Sequence, residues 1–226
     1  RDQTLGKLSL AVEQSPESIV ITDLDGRIEY VNETFIHKTG YSREEALGAN
    51  TRMLKSGKTP AETYQALWAS LSQGKIWQGE FASQRKDGSE FIESAIISPV
   101  RAPDGSITHY LAVKQDISEK KQAEAQIHRL AYFDALTGLP NRTLLMDRLA
   151  QTLATGRRSQ HQEALILINL DRFKNINDAR GHALGNHLLK ALSERLADLL
   201  RDGDTLARLA GDELALLLLD LNHSTE

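Results

Sequence analysis

Cysteine is missing from all 226 residues. That removes disulfides and thiolate chemistry, and it fits a cytoplasmic setting. No apolar run approaches membrane-spanning length and no secretory leader is visible. A net charge of -4 gives no global basic bias, so nucleic acid is not an expected partner. The chain starts at Arg1 rather than Met. It therefore reads as a piece of a longer protein, with a membrane anchor upstream left open. What is present is ordinary for a globular protein: 40% hydrophobic and 26% charged residues, enough for one large or two small domains.

Residues 205–220 hold two apolar runs around a small polar turn, Ala210-Gly211-Asp212-Glu213. This predicts a β-hairpin with both strands buried. Asp212 and Glu213, adjacent at the apex, repel unless a positive charge lies beside them. Mg²⁺ meets that need, since it favours carboxylate oxygens together with substrate phosphates. Gly211 has no side chain, so a bulky ligand has room against the backbone.

The first half predicts an α+β unit. A β-branched run over 19–22, the turn Asp25-Gly26 and an alternating run over 27–31 make a hairpin. Ser42-Arg43-Glu44-Glu45 is a capping box whose helix stops at Gly48. Thr59-Pro60-Ala61-Glu62 reads as a second capping box, with Pro at the first helical position. It opens a helix with Tyr64, Leu67, Trp68 and Leu71 at helical spacing. Strands follow over 76–84, 90–100 and 107–117, parted by Lys86-Asp87-Gly88 and Pro103-Asp104-Gly105. The expected result is a five-stranded antiparallel sheet with helices on one face. Gly57-Lys58-Thr59 is no phosphate loop, because Arg52 stands where its first glycine belongs and no strand precedes it.

Ile21-Thr22-Asp23, Val31-Asn32, Thr39-Gly40-Tyr41-Ser42, Arg85-Lys86-Asp87-Gly88 and Asp116-Ile117-Ser118 resemble a PAS sensor domain over 8–118. From Tyr64 to Lys86 the chain is most similar to the flavin-binding PAS domain of the redox sensor that controls nitrogen fixation. The resemblance implies a pocket between helices and sheet that holds FAD, with Trp77 near the ring. Ser83 stands where that sensor has an Asn, which removes a pocket hydrogen bond. A pocket with no cofactor or another ligand stays open beside this, since Trp68 and Trp77 also read as core residues. A LOV-type photoreceptor needs a cysteine that this chain lacks. Haem would fall to His37 or His109.

Residues 119–132 contain no Gly or Pro and are rich in Lys, Gln, Ala and Glu, which predicts a linker helix. Ala123, Ile127 and Leu130 form a short seam like that of a coiled coil, and a simple amphipathic linker fits as well. In PAS proteins the tripeptide at Asp116 ties the sheet to the output helix, so the resemblance makes Asp116 the transmission point.

In the second half, a helix from about Thr143 turns Leu145, Leu149 and Leu153 inward. The continuous apolar run 164–168 predicts a buried strand that delivers Asn169-Leu170-Asp171 at its carboxyl end. Leu184, Leu188, Leu192, Leu196 and Leu199 make one face of a long helix. His182 and His187 are five apart, off the four-residue step that suits helical metal chelation.

The run Phe133-Asp134-Ala135-Leu136-Thr137-Gly138-Leu139-Pro140-Asn141-Arg142, with the turn and Leu214, resembles the GGDEF domain of the diguanylate cyclase family. The match covers 133–226, the N-terminal part of an α/β domain of the nucleotidyl-cyclase palm type. The family joins two GTP molecules into cyclic di-GMP between two facing subunits, which implies a homodimer. By position, Asp212 binds Mg²⁺ and helps deprotonate the attacking hydroxyl, and Glu213 supports the metal. The Leu170 carbonyl and Asn169 are the further metal positions. Lys174 sits near phosphates, Gly211 faces the substrate, and Asn177 and Asn186 contact guanine. Arg201 and Asp204 match the Arg-x-x-Asp of the family's product-inhibition site; a charged loop after a helix is the alternative, and their position favours the site.

The departures are also specific. Asn169 replaces a metal-binding Asp, and a neutral amide holds Mg²⁺ less well than a carboxylate. Asn186 replaces an Asp and loses charge assistance. Ala210 and Leu214 replace Gly and Phe. The family's later strands and basic residues do not occur, so a free hairpin edge is expected after residue 219. Three functions stand at this point. One is a PAS-regulated cyclase. Another is a non-catalytic GGDEF domain that binds GTP or dimerises and regulates an EAL phosphodiesterase beyond Glu226. The last is a sensor alone, with the PAS pocket as its functional part.

Overall fold

The computed structural model describes residues 2–159, 162–219 and 221. They form two compact units, 1–122 and 123–226, each taken here by itself.

The N-terminal unit begins with helix α1 (Asp2–Glu13). Strands β1 (Ser18–Thr22) and β2 (Ile28–Val31) follow as a hairpin. Helices α2 (Glu33–Thr39) and α3 (Arg43–Ala46), a 3₁₀ turn (Thr51–Leu54) and α4 (Ala61–Ser72) come next. Strands β3 (Trp77–Gln84), β4 (Glu90–Arg101) and β5 (Ile107–Asp116) complete one antiparallel sheet of order β2-β1-β5-β4-β3. The core lies on the helix side, with Val20, Phe35, Leu67, Leu71, Phe81 and Ala95 buried.

Local chemistry explains most boundaries. Asp23 Oδ1 accepts from the Asp25 and Arg27 amides, and Gly26 takes φ +79°, which closes the first hairpin. Both hydrogen bonds of the Ser42–Glu45 capping box are made. The second box is not. Pro60 is the N-cap of α4 and has no side-chain bond, because the Thr59 hydroxyl is engaged on β3. It accepts from Ala82 N at 2.9 Å and donates to Ala82 O at 3.2 Å. Asn32 is fully buried and uses all of its amide. Its Oδ1 accepts from Ile19 N and Phe35 N, and its Nδ2 donates to Val12 O and Glu17 O.

Helix α5 (Ser118–Tyr132) buries no residue, and Ile127 and Leu130 of the expected seam are exposed. The C-terminal unit adds α6 (Arg142–Ser159), β6 (Ala164–Asn169), α7 (Phe173–Arg180), α8 (His182–Ala197), β7 (Thr205–Ala210) and β8 (Glu213–Leu218). The three strands form an antiparallel sheet of order β6-β8-β7. The hairpin is buried as expected, through Leu206, Ala207, Leu214, Ala215 and Leu217.

Four expectations change here. The run 164–168 is not buried: β6 is an edge strand, and Leu165, Ile166 and Leu167 are 45%, 42% and 68% exposed. The free edge is not on β8, which lies between β6 and β7. On α8 the buried row is Gly185, Leu189 and Ser193, one position beyond the predicted leucines, because a helical side chain leans toward the turn before its own Cα. Leu184, Leu188 and Leu199 are exposed. On α6, Leu145 is buried and Leu149 packs beside it, whereas Leu153 is exposed.

Candidate functional site

Residues Gly211 and Asp212 form the two-residue turn between β7 and β8, and Ala210 pairs with Glu213 across it. Gly211 has φ +53°, a left-handed conformation that costs glycine little. Asn169, the last residue of β6, pairs with Glu213. The end of β6 and the acidic turn are thus neighbours through sheet register, and Leu170 follows directly. Among the described residues no three His, Cys, Asp or Glu side chains gather closely enough to hold a metal ion. The oxygens available here are two carboxylates, the Asn169 amide and the Leu170 carbonyl. That all-oxygen set suits Mg²⁺ in kind, with one negative charge fewer than a third carboxylate would supply.

Helix α7 starts after Arg172, the sole non-glycine described with positive φ, +61°. Lys174 is exposed on α7 and Asn186 is exposed on α8. Asn177 lies where α7 and α8 pack, and a Cβ on Gly185 would meet its Oδ1 at 2.0 Å. That buried Oδ1 has no hydrogen-bond partner. Arg201 and Asp204 share one loop. Asp204 is engaged by backbone amides, accepting from Arg201 N at 3.3 Å and Leu219 N at 3.0 Å.

Arg208 was not singled out from the sequence. On β7, its Nη1 reaches Asp134 Oδ1 and Oδ2 at 2.9 and 3.1 Å. Its Nε and Nη2 donate to the Gly211 carbonyl at 3.0 and 2.7 Å. One guanidinium therefore joins the segment after α5 to the apex of the acidic turn. Burial pushes the Asp134 carboxyl up, but hydrogen bonds from Thr137 and Arg208 outweigh it and hold the group below the usual carboxylate range. The available signal was a lone cation in an apolar strand, which needs an anionic partner when buried.

The N-terminal unit contains a cavity of about 130 Å³ between helices and sheet. Tyr64, Trp68, Phe81 and Tyr110 supply aromatic wall, and Ser83, Glu93 and Lys114 supply a polar side. Trp77 is not a wall residue: it is buried against Phe81, ring centroids 5.0 Å apart, and it lies over Gly79. His37 and His109 do not line the cavity either, and His109 pairs with Glu29 at 2.9 Å. A closed cavity of about 150 Å³ holds one benzene ring; this one admits a ring and opens to solvent beside the exposed Arg52, Lys55 and Trp68.

At the end of β5, Asp116 Oδ2 meets Arg85 Nη2 at 2.6 Å and Oδ1 accepts from Ser118 N. The Ser118 hydroxyl accepts from Ile92 N, and Lys121 reaches Glu80 at 3.0 Å. Burial raises the Asp116 carboxyl, while bonds from Ser118 and the Arg85 charge bring it net below its ordinary value.

Comparison with known proteins agrees with this architecture. The family described as "Diguanylate cyclase, GGDEF domain" matches residues 131–226, and the PAS domain family matches 16–119. The chain therefore carries a PAS domain followed by a GGDEF domain. It is 33% identical over 219 residues to the probable diguanylate cyclase DgcE of Escherichia coli (strain K12), covering 96% of this chain and 20% of that protein. It is 36% identical over 138 residues to a nitrogen fixation regulatory protein of Klebsiella oxytoca, covering 60% of this chain and 28% of that one. A solved structure of an RNA-binding Light-Oxygen-Voltage receptor matches at TM-score 0.53 and 28% identity, over 57% of this chain and 37% of the other. The chain thus spans under a third of the length of these curated relatives.

Proposed function

We propose that this chain is the sensor and output portion of a cytoplasmic cyclic di-GMP signalling protein. In this reading the PAS unit (8–118) regulates, through the linker helix (119–132), a GGDEF unit (133–226) that makes cyclic di-GMP from two GTP. The observation that carries it is the pairing of Asn169 with Glu213, which sets the end of β6 beside the Asp212–Glu213 turn. Among the described residues no helix is long and apolar enough to cross a membrane.

Each group then has a task. Asp212, Glu213, Asn169 and the Leu170 carbonyl would hold Mg²⁺, which supplies charge neutralisation on the triphosphate when bound. Asp212 accepts the proton of the attacking hydroxyl. Lys174 attracts phosphate oxygens, Gly211 leaves backbone room for them, and Asn177 Oδ1 and Asn186 accept from guanine. Two copies must meet face to face, so a homodimer is the working unit. In this reading Arg201 and Asp204 would take cyclic di-GMP as inhibitor, Asp116 would pass the signal to α5, and Ser83 lies on the sensor cavity. FAD is the cofactor that the PAS resemblance offers for that cavity, and its aromatic walls support a ring ligand. Ser83, in place of the Asn of the flavin-binding sensor, would give a flavin a different hydrogen-bond partner there.

The test is GTP turnover with Mg²⁺, with cyclic di-GMP measured by chromatography. Asp212→Ala should lower product at least ~100-fold; unchanged product would refute the cyclase reading. Asn169→Asp should tighten Mg²⁺–GTP binding about tenfold in calorimetry, the effect of restoring one charged ligand. GTP binding without product in both the unaltered protein and Asn169→Asp would favour the regulatory reading, in which this unit acts on an EAL phosphodiesterase partner.

A further inference from the structure

The charged residues of the N-terminal cavity take no part in the output chemistry. Glu93 and Lys114 are only 4% and 9% exposed and are bonded at 2.7 Å. Ser83 Oγ donates to the same Glu93 oxygen at 3.0 Å. All three line the cavity. Stability does not account for them, because replacing a buried ion pair by apolar residues of similar volume is often neutral or stabilising.

Their chemistry restricts what can sit against them. Separating the pair would leave an uncompensated buried charge, which is strongly unfavourable. Against this buried pair a carboxylate would meet Glu93 and an ammonium would meet Lys114; the other charged lining residues are Asp25, Arg52 and Lys55, and Lys55 Nζ lies over the Tyr64 ring at 3.9 Å. A neutral edge that gives a hydrogen bond to Glu93 and takes one from Lys114 satisfies both without parting them. The volume of about 130 Å³ admits one ring. Tyr64 and Phe81, stacked with centroids 5.7 Å apart, and Trp68 edge-on to Tyr110 offer faces and edges to a flat body.

We propose that the cavity binds a neutral single-ring lactam or imide of the pyrimidinone class. Its N–H donates to Glu93 and its adjacent carbonyl accepts from Lys114, with Ser83 holding the shared carboxylate oxygen. This rests on the cavity being the ligand site of the sensor and is independent of whether the GGDEF unit is active.

Calorimetry on the whole chain tests it with four probes. Uracil carries the N–H and carbonyl edge. Pyrazine is a ring of similar size without an N–H. Benzoate is a ring with a carboxylate, and FMN carries the three-ring flavin. Uracil should bind one per chain, with pyrazine at least ~100-fold weaker, since a site built to accept an N–H rejects the ring that lacks it. Glu93→Gln should weaken uracil about tenfold or more, and the pyrazine comparison decides even if that variant fails to fold. Equal binding of uracil and pyrazine overturns the proposal. So does tighter binding of benzoate or FMN, or binding of none of the four. Cyclic di-GMP formation is a separate readout, so failure here leaves the cyclase reading standing.

Discussion

Asp116 and Asp134 stand at the two ends of α5, and each is held by the same chemistry in its own unit. Asp116 accepts from Ser118 N and pairs with Arg85. Asp134 accepts from Thr137 N and Oγ1 and pairs with Arg208. The two arginines differ in where their remaining donors go. Arg85 reaches the Lys38 carbonyl on α2 and the Glu90 carbonyl on β4 and lies over the Phe91 ring, so its grip stays within the framework of helix and sheet. Arg208 spends its donors on the carbonyl of Gly211, at the functional turn. The first arrangement therefore fixes where the linker helix starts. The second sets the geometry of a site.

The difference can be broken at its strongest point first. Arg208→Ala strips Asp134 of its charge partner and Gly211 O of two donors, and should destabilise the C-terminal unit by about 3 kcal/mol. Hydrogen exchange of the β7 and β8 amides should rise with it; unchanged protection would mean that the guanidinium is incidental. Arg85→Ala should cost about 1–2 kcal/mol, because that pair is more open on the arginine side. Its exchange signature should fall on β5 and the first turn of α5 and leave β7 and β8 unmoved. A response in both units from either variant would erase the distinction.

Acid gives the smallest effect. Both carboxyls sit below their ordinary values. Their contribution is therefore fully present above the unfolded value of about 3.9, and it is lost as pH falls through the lower folded values. Below about pH 4, Asp134→Asn should flatten the pH dependence of melting of the C-terminal unit by less than ~1 kcal/mol. An equally steep slope in the variant would assign the acid response to other groups.

Much of this was legible in the chain, and the misses share a cause. The Ser42 cap, the strands and tight turns of the first unit and the Gly211–Asp212 hairpin depend on near neighbours, and local pattern reports them. Thr59 was misread because its hydroxyl goes to Ala82, twenty-three residues away, instead of to the next turn. Trp77 was misplaced because large aromatic size alone does not say whether a ring faces a cavity or Phe81. The leucines of 165–167 look like core, since an apolar run does not state how many strands flank it. Glu93 and Lys114 escaped because their partners lie on other strands, and Arg208 because Asp134 is seventy-four residues away. A charge at an inward strand position is the sign that would have exposed them.

Asn32 carries one further consequence. A neutral amide is the side chain able to offer two hydrogens and receive two at once, and here every one of the four is taken. A carboxylate could only receive, and an aliphatic group could do neither. The last turn of α1, the approach to β1 and the first turn of α2 are thereby fastened at a single rivet. A twist applied to the N-terminal helix is handed to the sheet and to the helical layer together, with no slack between them.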